Sequence, residues 1–149
     1  MKVLSVLVPV MSVLHLLIAQ DLATKDIKRI YVDGIGQRSS LEAAKKDLVS
    51  ELRKLKSIEV VDSPDKANAI LTGDGDIYVK GYYSLNPRSG LSVANGHPIY
   101  GGYLSIELRD ASGVTLWSYL ANASDSKDAA RQLSKDIVKH LAAILPKTS

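Results

Sequence analysis

The segment that most constrains the fold of this chain is a long alternating run from Lys66 to Gly81, KANAILTGDGDIYVKG. At the strand period of two, its residues separate into two unlike faces. One face is aliphatic or lacks side chains: Leu71, Gly73, Gly75, Ile77, Val79 and Gly81. The other is polar and aromatic: Thr72, Asp74, Asp76, Tyr78, Lys80 and Tyr82. This sidedness predicts one long strand over residues 69–84, in a sheet that helices cover on one face only.

Four further segments predict partner strands. Residues 102–110 show the same alternation, with aliphatic side chains at Leu104, Ile106 and Leu108. Ala111-Ser112-Gly113 predicts a hairpin turn, from which residues 115–123 return as the next strand. Shorter alternating segments predict strands over residues 27–35 and 58–62.

Two segments have the apolar spacing of amphipathic helices. The first covers residues 40–56, and Ser39 with Glu42 has the spacing of a capping box at its start. Its stripe consists of Leu41, Ala44, Leu48, Leu52 and Leu55. The second is a closing helix that we expect Ser124 or Ser126 to cap and Pro146 to stop. Its stripe consists of Ala130, Leu133, Ile137, Leu141 and Ile144.

The order of elements is therefore β-α-β-β-β-β-α in a single domain over residues 20–149. Two helices with one apolar stripe each can cover one face of a five-stranded mixed sheet, which gives an α+β, two-layer α/β sandwich. We expect the first two strands to be parallel, with a right-handed crossover through the first helix. Residues 85–99 contain two glycines and two prolines and predict a mobile loop.

The first nineteen residues have the layout of a secretory signal peptide. Lys2 precedes an uncharged apolar run from Val3 to Ala19, and Gln20 and Asp21 end it. We expect cleavage after Ala19 and a periplasmic or secreted product, with contact to the membrane only if the leader stays uncleaved as an anchor. The chain has no cysteine, so it forms no disulfide and has no site for an amino-terminal lipid anchor.

Composition argues against several classes of function. The formal net charge is +3, with both signs interspersed, which gives no electrostatic case for binding nucleic acid. Few histidines and no cysteine argue against a metal site or a catalytic dyad. Asp74-Gly75-Asp76 has too few oxygen ligands for a calcium loop. We therefore predict no enzyme, no metal and no cofactor.

One turn supports an alternative function. Gly34-Ile35-Gly36-Gln37-Arg38-Ser39 lies between a predicted strand and a predicted helix, and Asp62 ends the next strand. This is part of a dinucleotide-binding fingerprint, which predicts a small-ligand or nucleotide binder. Ser39 stands where the third glycine belongs, however, and only one βαβ unit is present. The competing interpretation is a tight turn that leads into a helix.

The aromatic composition predicts a binding surface. The chain has seven tyrosines, one tryptophan and no phenylalanine, and tyrosine suits half-covered positions with a solvated hydroxyl. Alternation places Tyr31, Tyr78, Tyr82 and Tyr103 on the face away from the helices, and Trp117 and Tyr119 join them if Leu116 and Leu120 face inward. The candidate partner-binding residues are Tyr78, Lys80, Tyr82, Tyr103, Arg109, Trp117 and Tyr119. The competing interpretation is a solvated face whose aromatic pairs only stabilise the sheet.

Two local patterns, ANAILTGDG and the G-x-x-LWS of Gly113 to Ser118, resemble small exported α/β domains of bacterial envelopes. The similar families are the amino-terminal domain of the TolB translocation protein, the periplasmic domains of curli-secretion channel lipoproteins, and the lipoprotein activators of penicillin-binding proteins. The resemblance implies a non-catalytic binding or assembly role, with another envelope protein or a second copy as the partner. This chain departs from the lipoproteins because it lacks their lipidated cysteine.

Overall fold

The computed structural model of this protein describes Thr24 and residues 26–83 and 96–146. The strands are β1 (Arg29–Ile35), β2 (Glu59–Val61), β3 (Ala69–Tyr83), β4 (His97–Asp110) and β5 (Thr115–Ser126), and the α-helices are α1 (Ser39–Leu52) and α2 (Ala129–Ile144). A short 3-10 helix, Pro64–Lys66, precedes β3. The predicted α+β class and element order are confirmed. The predicted leader and residues 85–95 of the predicted loop lie outside the described residues.

The five strands form one mixed sheet in the order β2-β1-β3-β4-β5. β1 is parallel to β2, as predicted, and also to β3. β3, β4 and β5 form an antiparallel meander. β1 therefore lies between β2 and β3. Because β1 and β2 are parallel, α1 crosses over the sheet to connect them.

The core lies between the two helices and one face of the sheet. Its largest fully buried side chains are Ile30, Leu71, Leu104, Ile106 and Leu108 from the strands and Leu41, Leu48, Leu52, Leu133, Ile137 and Leu141 from the helices. The helices meet at small residues, where the buried Ser134 hydroxyl lies 3.1 Å from the Ala44 carbonyl and 2.8 Å from that of Ala130. Since both helices pack on this face, they leave the opposite face of β3 and β4 uncovered.

Both helices begin differently from the prediction. Arg38 is the N-cap of α1, Ser39 is the first helical residue, and no side chain caps the helix. The capping box does not form because Arg38, and not Ser39, has the extended backbone of the cap position. β5 runs on to Ser126, so α2 is instead capped by Asp128, whose carboxylate accepts from the Arg131 amide at 3.3 Å. α1 also ends earlier than predicted, at Leu52.

β3 and β4 extend beyond their neighbours. β1 pairs with β3 only as far as Gly73, and β5 pairs with β4 only as far as Tyr100. Lys80–Tyr83 and His97–Ile99 consequently form a projecting two-stranded segment, which we call the ribbon. His97 to Ile99 were predicted in the loop, but they pair with β3 as part of β4. The ribbon and the uncovered face beside it contain most of the predicted binding residues.

Candidate functional site

The uncovered face of β3 and β4, which we call the open face, carries two of the predicted tyrosines. Residues that pair across neighbouring strands project from the same face of a sheet. Asp76 pairs with Tyr103, and Tyr78 two residues further along pairs with Gly101. Tyr78 is 52% exposed and Tyr103 is 42% exposed. The placement of both tyrosines away from the helices is confirmed.

The Tyr78 ring lies on the backbone of β4. A Cβ atom built on Gly101 would lie 3.3 Å from ring atoms of Tyr78, tighter than ordinary van der Waals contact. Glycine is therefore the residue that permits this close approach, and one side of the ring is covered by the neighbouring strand. The other side of the ring remains in solvent, which presents a positioned aromatic surface.

Asp76, beside Tyr78, is paired with a residue from the turn before α1. The Arg38 guanidinium reaches the Asp76 carboxylate at 2.6 Å. The hydrogen bond from Arg38 lowers the pKa of Asp76, and the same bond raises the pKa of Arg38. Asp74 and Tyr103 also lie close enough to interact electrostatically with Arg38. The carboxylate is thus held in its charged form on one side of Tyr78.

Lys80, on the other side of Tyr78, is paired with a residue of β5. Its ammonium group lies 2.8 Å from the Asp125 carboxylate, and this hydrogen bond raises the pKa of Lys80. Asp125 has a φ of 52° at an irregularity in β5, a conformation that favours glycine or an acidic or amide residue. Tyr78 is therefore flanked along β3 by one negative and one positive side chain.

Tyr82 does not share the open face with Tyr78, and this prediction was wrong. A β-bulge interrupts the register, because Val79 pairs with Tyr100 while Gly81 pairs with Ile99. Because Lys80 is an extra residue in β3, the side chains after it lie on the opposite faces from those that strict alternation predicts. Tyr82 thus lies on the side of the helices, beyond the part that they cover, and is 54% exposed.

Arg109 is on the open face but not near the tyrosines. It pairs with Ile70 on β3, whereas Tyr78 pairs with Gly101, eight residues away along β4. At about 3.4 Å per residue, the two positions are roughly 27 Å apart. The Arg109 guanidinium contacts Glu107 at 2.7 Å. Arg109 therefore belongs to a different part of the surface from Tyr78 and Tyr103.

Trp117 and Tyr119 lie on the helix side of the sheet, so their expected place on the open face was wrong. Their partners on β4 are the buried Leu108 and Ile106. Further along β5, Ala121 and Ala123 are buried on the same face, where small side chains leave room for the helices. Because alternation then brings positions 117 and 119 to that face too, both rings cover the rim of the core.

Tyr119 joins β5 to α2 at this rim. Its hydroxyl donates to Asp136 at 3.0 Å, and its ring stacks on His140 with the ring centres 4.1 Å apart. Partial burial raises the pKa of Tyr119, and the bond to Asp136 raises it further. His140 Nδ1 donates to the Asp136 carbonyl oxygen at 2.9 Å, since a carbonyl can only accept. These contacts attach an edge strand to a helix, and they include no activated nucleophile.

The Gly34–Ser39 turn is unfavourable for phosphate. Gly36 has a φ of +60°, and its amide donates to the Gly73 carbonyl at 3.1 Å. A Cβ atom at Gly36 would lie 2.7 Å from an Asp74 carboxylate oxygen. The cation of the turn, Arg38, is already bound to Asp76. Two carboxylates beside the turn would repel an anion, so this geometry fits a tight turn better than a nucleotide site.

Other features of the described residues point to no chemistry. Among residues 24, 26–83 and 96–146, no group of three or more His, Cys, Asp or Glu could hold a metal ion. A groove of about 300 Å³ lies between the starts of the two helices and the strand residues Ile77 and Tyr100. None of the helices in this part of the chain is long and apolar enough to cross a membrane.

Sequence reasoning missed two residues of this surface. Arg38 and Asp125 hold the charged groups on either side of Tyr78, yet each is far from β3 along the chain. The sequence pattern places Arg38 only in the turn before α1, and it does not single out Asp125. No local pattern identifies them, because the contacts depend on the strand order and on two irregularities in the strands.

No model of a known protein family matches this sequence, and no curated protein matches it either. Solved structures with a similar fold include a PelC variant from Paraburkholderia phytofirmans, which was solved as a dodecamer. It is 19% identical to this chain, with a TM-score of 0.48 over 76% of this chain and 85% of that one. An uncharacterized lipoprotein B from Nitrosomonas europaea is 14% identical, with a TM-score of 0.41 over 80% of this chain and 82% of that one.

A PDZ domain protein from Parabacteroides distasonis is 17% identical, with a TM-score of 0.48 over 83% of this chain but only 33% of that one. Identities of 14–19% and TM-scores of 0.41–0.48 transfer no partner, oligomeric state or activity to this chain.

Proposed function

We propose that this chain is a non-catalytic, exported envelope module that binds a protein partner through the Tyr78–Tyr103 part of its open face and through the ribbon. The observation that carries the proposal is the exposure of apolar surface on and beside the projecting strands. The exposed side chains there are Tyr78, Val79, Tyr82, Tyr83 and Tyr103. Several large apolar side chains exposed together on the two faces of one projecting segment are typical of an interaction site.

The chemistry of this surface suits a protein partner. Tyrosine offers a large, stiff contact area with a polar end, which is why it is enriched at interfaces. The fixed ring of Tyr78 loses little conformational freedom on binding, since Gly101 already covers one side of it. Asp76 and Lys80 add one charge of each sign, which favours a partner with a complementary pattern.

The proposal narrows the surface predicted from the sequence. Tyr78, Lys80 and Tyr103 remain together, and Tyr82 contributes from the other side of the ribbon. Arg109, Trp117 and Tyr119 are left out, because one lies at the far end of the sheet and two lie at the core rim. The nucleotide-binding alternative has no comparable support, given the carboxylates beside Gly36 and Arg38.

A site-specific photo-crosslinking experiment tests this function. A photoreactive phenylalanine analogue replaces Tyr78 in one variant, Tyr103 in a second, and Val114 in a matched control. Val114 is 57% exposed but lies in the hairpin turn between β4 and β5. After irradiation of intact cells, we expect a discrete protein adduct at positions 78 and 103 and none at 114, with the adduct identified by mass spectrometry.

Equal crosslinking at all three positions would contradict a specific surface here. Absence of any adduct at 78 and 103, in variants whose Trp117 fluorescence shows a folded core, would contradict binding through the open face. Trp117 packs partly buried against the core and is distant from Tyr78 in the strand register, so it reports folding independently of the partner.

A further inference from the structure

We infer that the partner of this surface is a second copy of the same chain, which adds its own β3 antiparallel to the free edge of β3 about a two-fold axis at Tyr78. This inference rests on the proposed function, because it names the protein partner and places it at the edge of β3 that borders the open face at Tyr78. It goes beyond that function because it specifies which atoms pair, in which register, and which charges select that register.

Among the described residues, the edge of β3 on the β1 side has no strand partner beyond Gly73. The Gly73 carbonyl accepts from the Gly36 amide, so the backbone groups of Gly73 point toward β1. By alternation, the amides and carbonyls of Gly75, Ile77 and Val79 point to the same side. No strand among residues 26–83 and 96–146 pairs with them there. Such an edge is a template for strand addition.

The sequence of this edge is complementary to itself when reversed. Residues 75–81 read GDIYVKG. In an antiparallel pair centred on Tyr78, Ile77 faces Val79 and Asp76 faces Lys80, the bulge residue at which the regular alternation of β3 ends. The symmetry places the Asp76 of each copy opposite the Lys80 of the other, so the interface contains two such pairs. A two-fold interface requires this kind of self-complementarity.

Charge restricts the register. If the axis passed through Asp76, two aspartates would face each other, and if it passed through Lys80, two lysines would do so. Like charges directly opposite each other destabilise a pair of strands. Two of the registers centred on residues 76 to 80 oppose unlike charges: the one centred on Tyr78 sets Asp76 against Lys80, and the one centred on Ile77 sets Asp74 against Lys80 but leaves Asp76 opposite Tyr78. Alternating signs therefore work against slippage of the two strands.

The backbone geometry agrees with this centre. Ile77 and Val79 both direct their backbone groups to the free edge, so each Ile77 exchanges two hydrogen bonds with the Val79 of the other copy. Tyr78 then forms the closely spaced, non-hydrogen-bonded pair on the axis, with Cα atoms about 4.5 Å apart. Its ring projects from the open face, where Gly101 already supports it.

The present ion pairs extend across the axis. Asp76 is held by Arg38 at 2.6 Å, and Lys80 is held by Asp125 at 2.8 Å. In the dimer, each half of the interface becomes a row of four charges of alternating sign: Arg38, Asp76, Lys80 of the second copy and its Asp125. A network of this kind is stronger than an isolated surface pair and weakens as salt is added.

Two complementary single variants test the register. Lys80→Asp leaves aspartate at both positions 76 and 80, and Asp76→Lys leaves lysine at both. We expect each variant alone to dimerise about tenfold more weakly than the wild type, since two attractive pairs become repulsive. Mixed in equal amounts, they restore both Asp–Lys pairs, so heterodimers form with nearly wild-type affinity. Sedimentation equilibrium over a concentration series measures all three samples, and Lys139→Asp on the exposed face of α2 is the control.

The mixing step excludes a trivial explanation. Each variant loses its intramolecular partner, Asp125 or Arg38, equally in the separate and the mixed samples, so rescue on mixing reports the contact between chains. Failure of the mixture to associate, while the wild type dimerises, would overturn the register. Hydrogen exchange of the wild type needs no variant: the Ile77 and Val79 amides gain protection as protein concentration rises, and concentration-independent exchange would overturn the edge pairing.

The outcomes also separate this inference from the proposed function. A wild-type protein that stays monomeric at all concentrations but crosslinks at position 78 to a different protein overturns self-association and leaves the binding surface intact. A dimer that is indifferent to both charge reversals, together with no adduct at position 78, overturns the inference and the proposed function together.

Discussion

Asn68 is a small clamp between the starts of β1 and β3, and replacing it tests how the parallel half of the sheet is held together. The Asn68 side-chain oxygen accepts from the amides of Arg29 at 2.8 Å and Lys28 at 3.2 Å. Its side-chain nitrogen donates to the Asp26 carbonyl at 2.8 Å. One short side chain thus satisfies three backbone groups before β1 enters the sheet.

Asn68→Ala removes these three bonds and leaves the backbone bond from the Asn68 amide to the Arg29 carbonyl, at 3.0 Å. A hydrogen bond contributes about 0.5–1.5 kcal/mol net. Asn68 is only partly buried, so water replaces part of what is lost. We therefore expect the free energy of unfolding to fall by about 2 kcal/mol, and the melting temperature by roughly 6 °C for a domain of this size.

Urea unfolding monitored by the fluorescence of Trp117 measures this change, because Trp117 is the single tryptophan of the chain. Asn68→Asp keeps the two accepted bonds and loses the donated one, so its stability is expected to lie between those of Asn68→Ala and the wild type. Asn122→Ala is the matched control, since Asn122 is an exposed asparagine on β5. If Asn68→Ala and Asn122→Ala unfold at the same urea concentration, the clamp contributes nothing and the reasoning is refuted.

Two other predictions concern acid stability and nucleotides. The pKa of Asp110 is lowered by hydrogen bonds from the Ser112 hydroxyl and the Val114 amide, and the pKa values of Asp76 and Glu51 are lowered by their cationic partners. Because the unfolded chain binds more protons than the folded chain, this contribution to stability is complete above about pH 5 and is lost as the pH falls through the folded-state pKa values. Urea midpoints between pH 7 and 2 measure the change, and Asp110→Asn should flatten the curve. A pH-independent midpoint would contradict the assignment. We expect nucleotides to cause no shift in the melting temperature. A ligand at a hundredfold over its dissociation constant would add about 2.7 kcal/mol to the free energy of unfolding. A shift that Arg38→Ala abolishes would restore the nucleotide-binding alternative.

Periodicity in the sequence predicted burial correctly where a residue interacts with its near neighbours in the chain. The stripes of α1 and α2 and the alternation in β3 and β4 predicted which side chains are buried, because burial on one face imposes a period of 3.6 or 2. Leu48, Leu71 and Ile137 are fully buried as expected. Tyr78 and Tyr103 were placed correctly for the same reason, since both lie in uninterrupted stretches of their strands.

Periodicity predicted the wrong face for a side chain wherever a strand is irregular or lies at an edge. The extra residue at Lys80 places Tyr82 on the helix side instead of the open face, and no residue type in the segment predicts a bulge. In β5 the sequence pattern predicts the larger aliphatic side chains as the inward ones, but the inward positions near α2 belong to Ala121 and Ala123. Whether a face needs bulky or small residues depends on how closely a helix approaches it, which one strand cannot reveal.

The amino-acid sequence by itself determined the element order, the two helix stripes and a one-sided sheet, because these follow from local patterns of apolar burial. Only the tertiary structure decided the strand order, the free edge of β3, and the meeting of Arg38 with Asp76 and of Lys80 with Asp125. Those features depend on contacts between residues far apart in the chain, and they form when the packing of the helices selects one arrangement of strands. The charge pattern of GDIYVKG is present in the sequence, but only folding leaves it on an edge of β3 with which no strand of the described residues pairs.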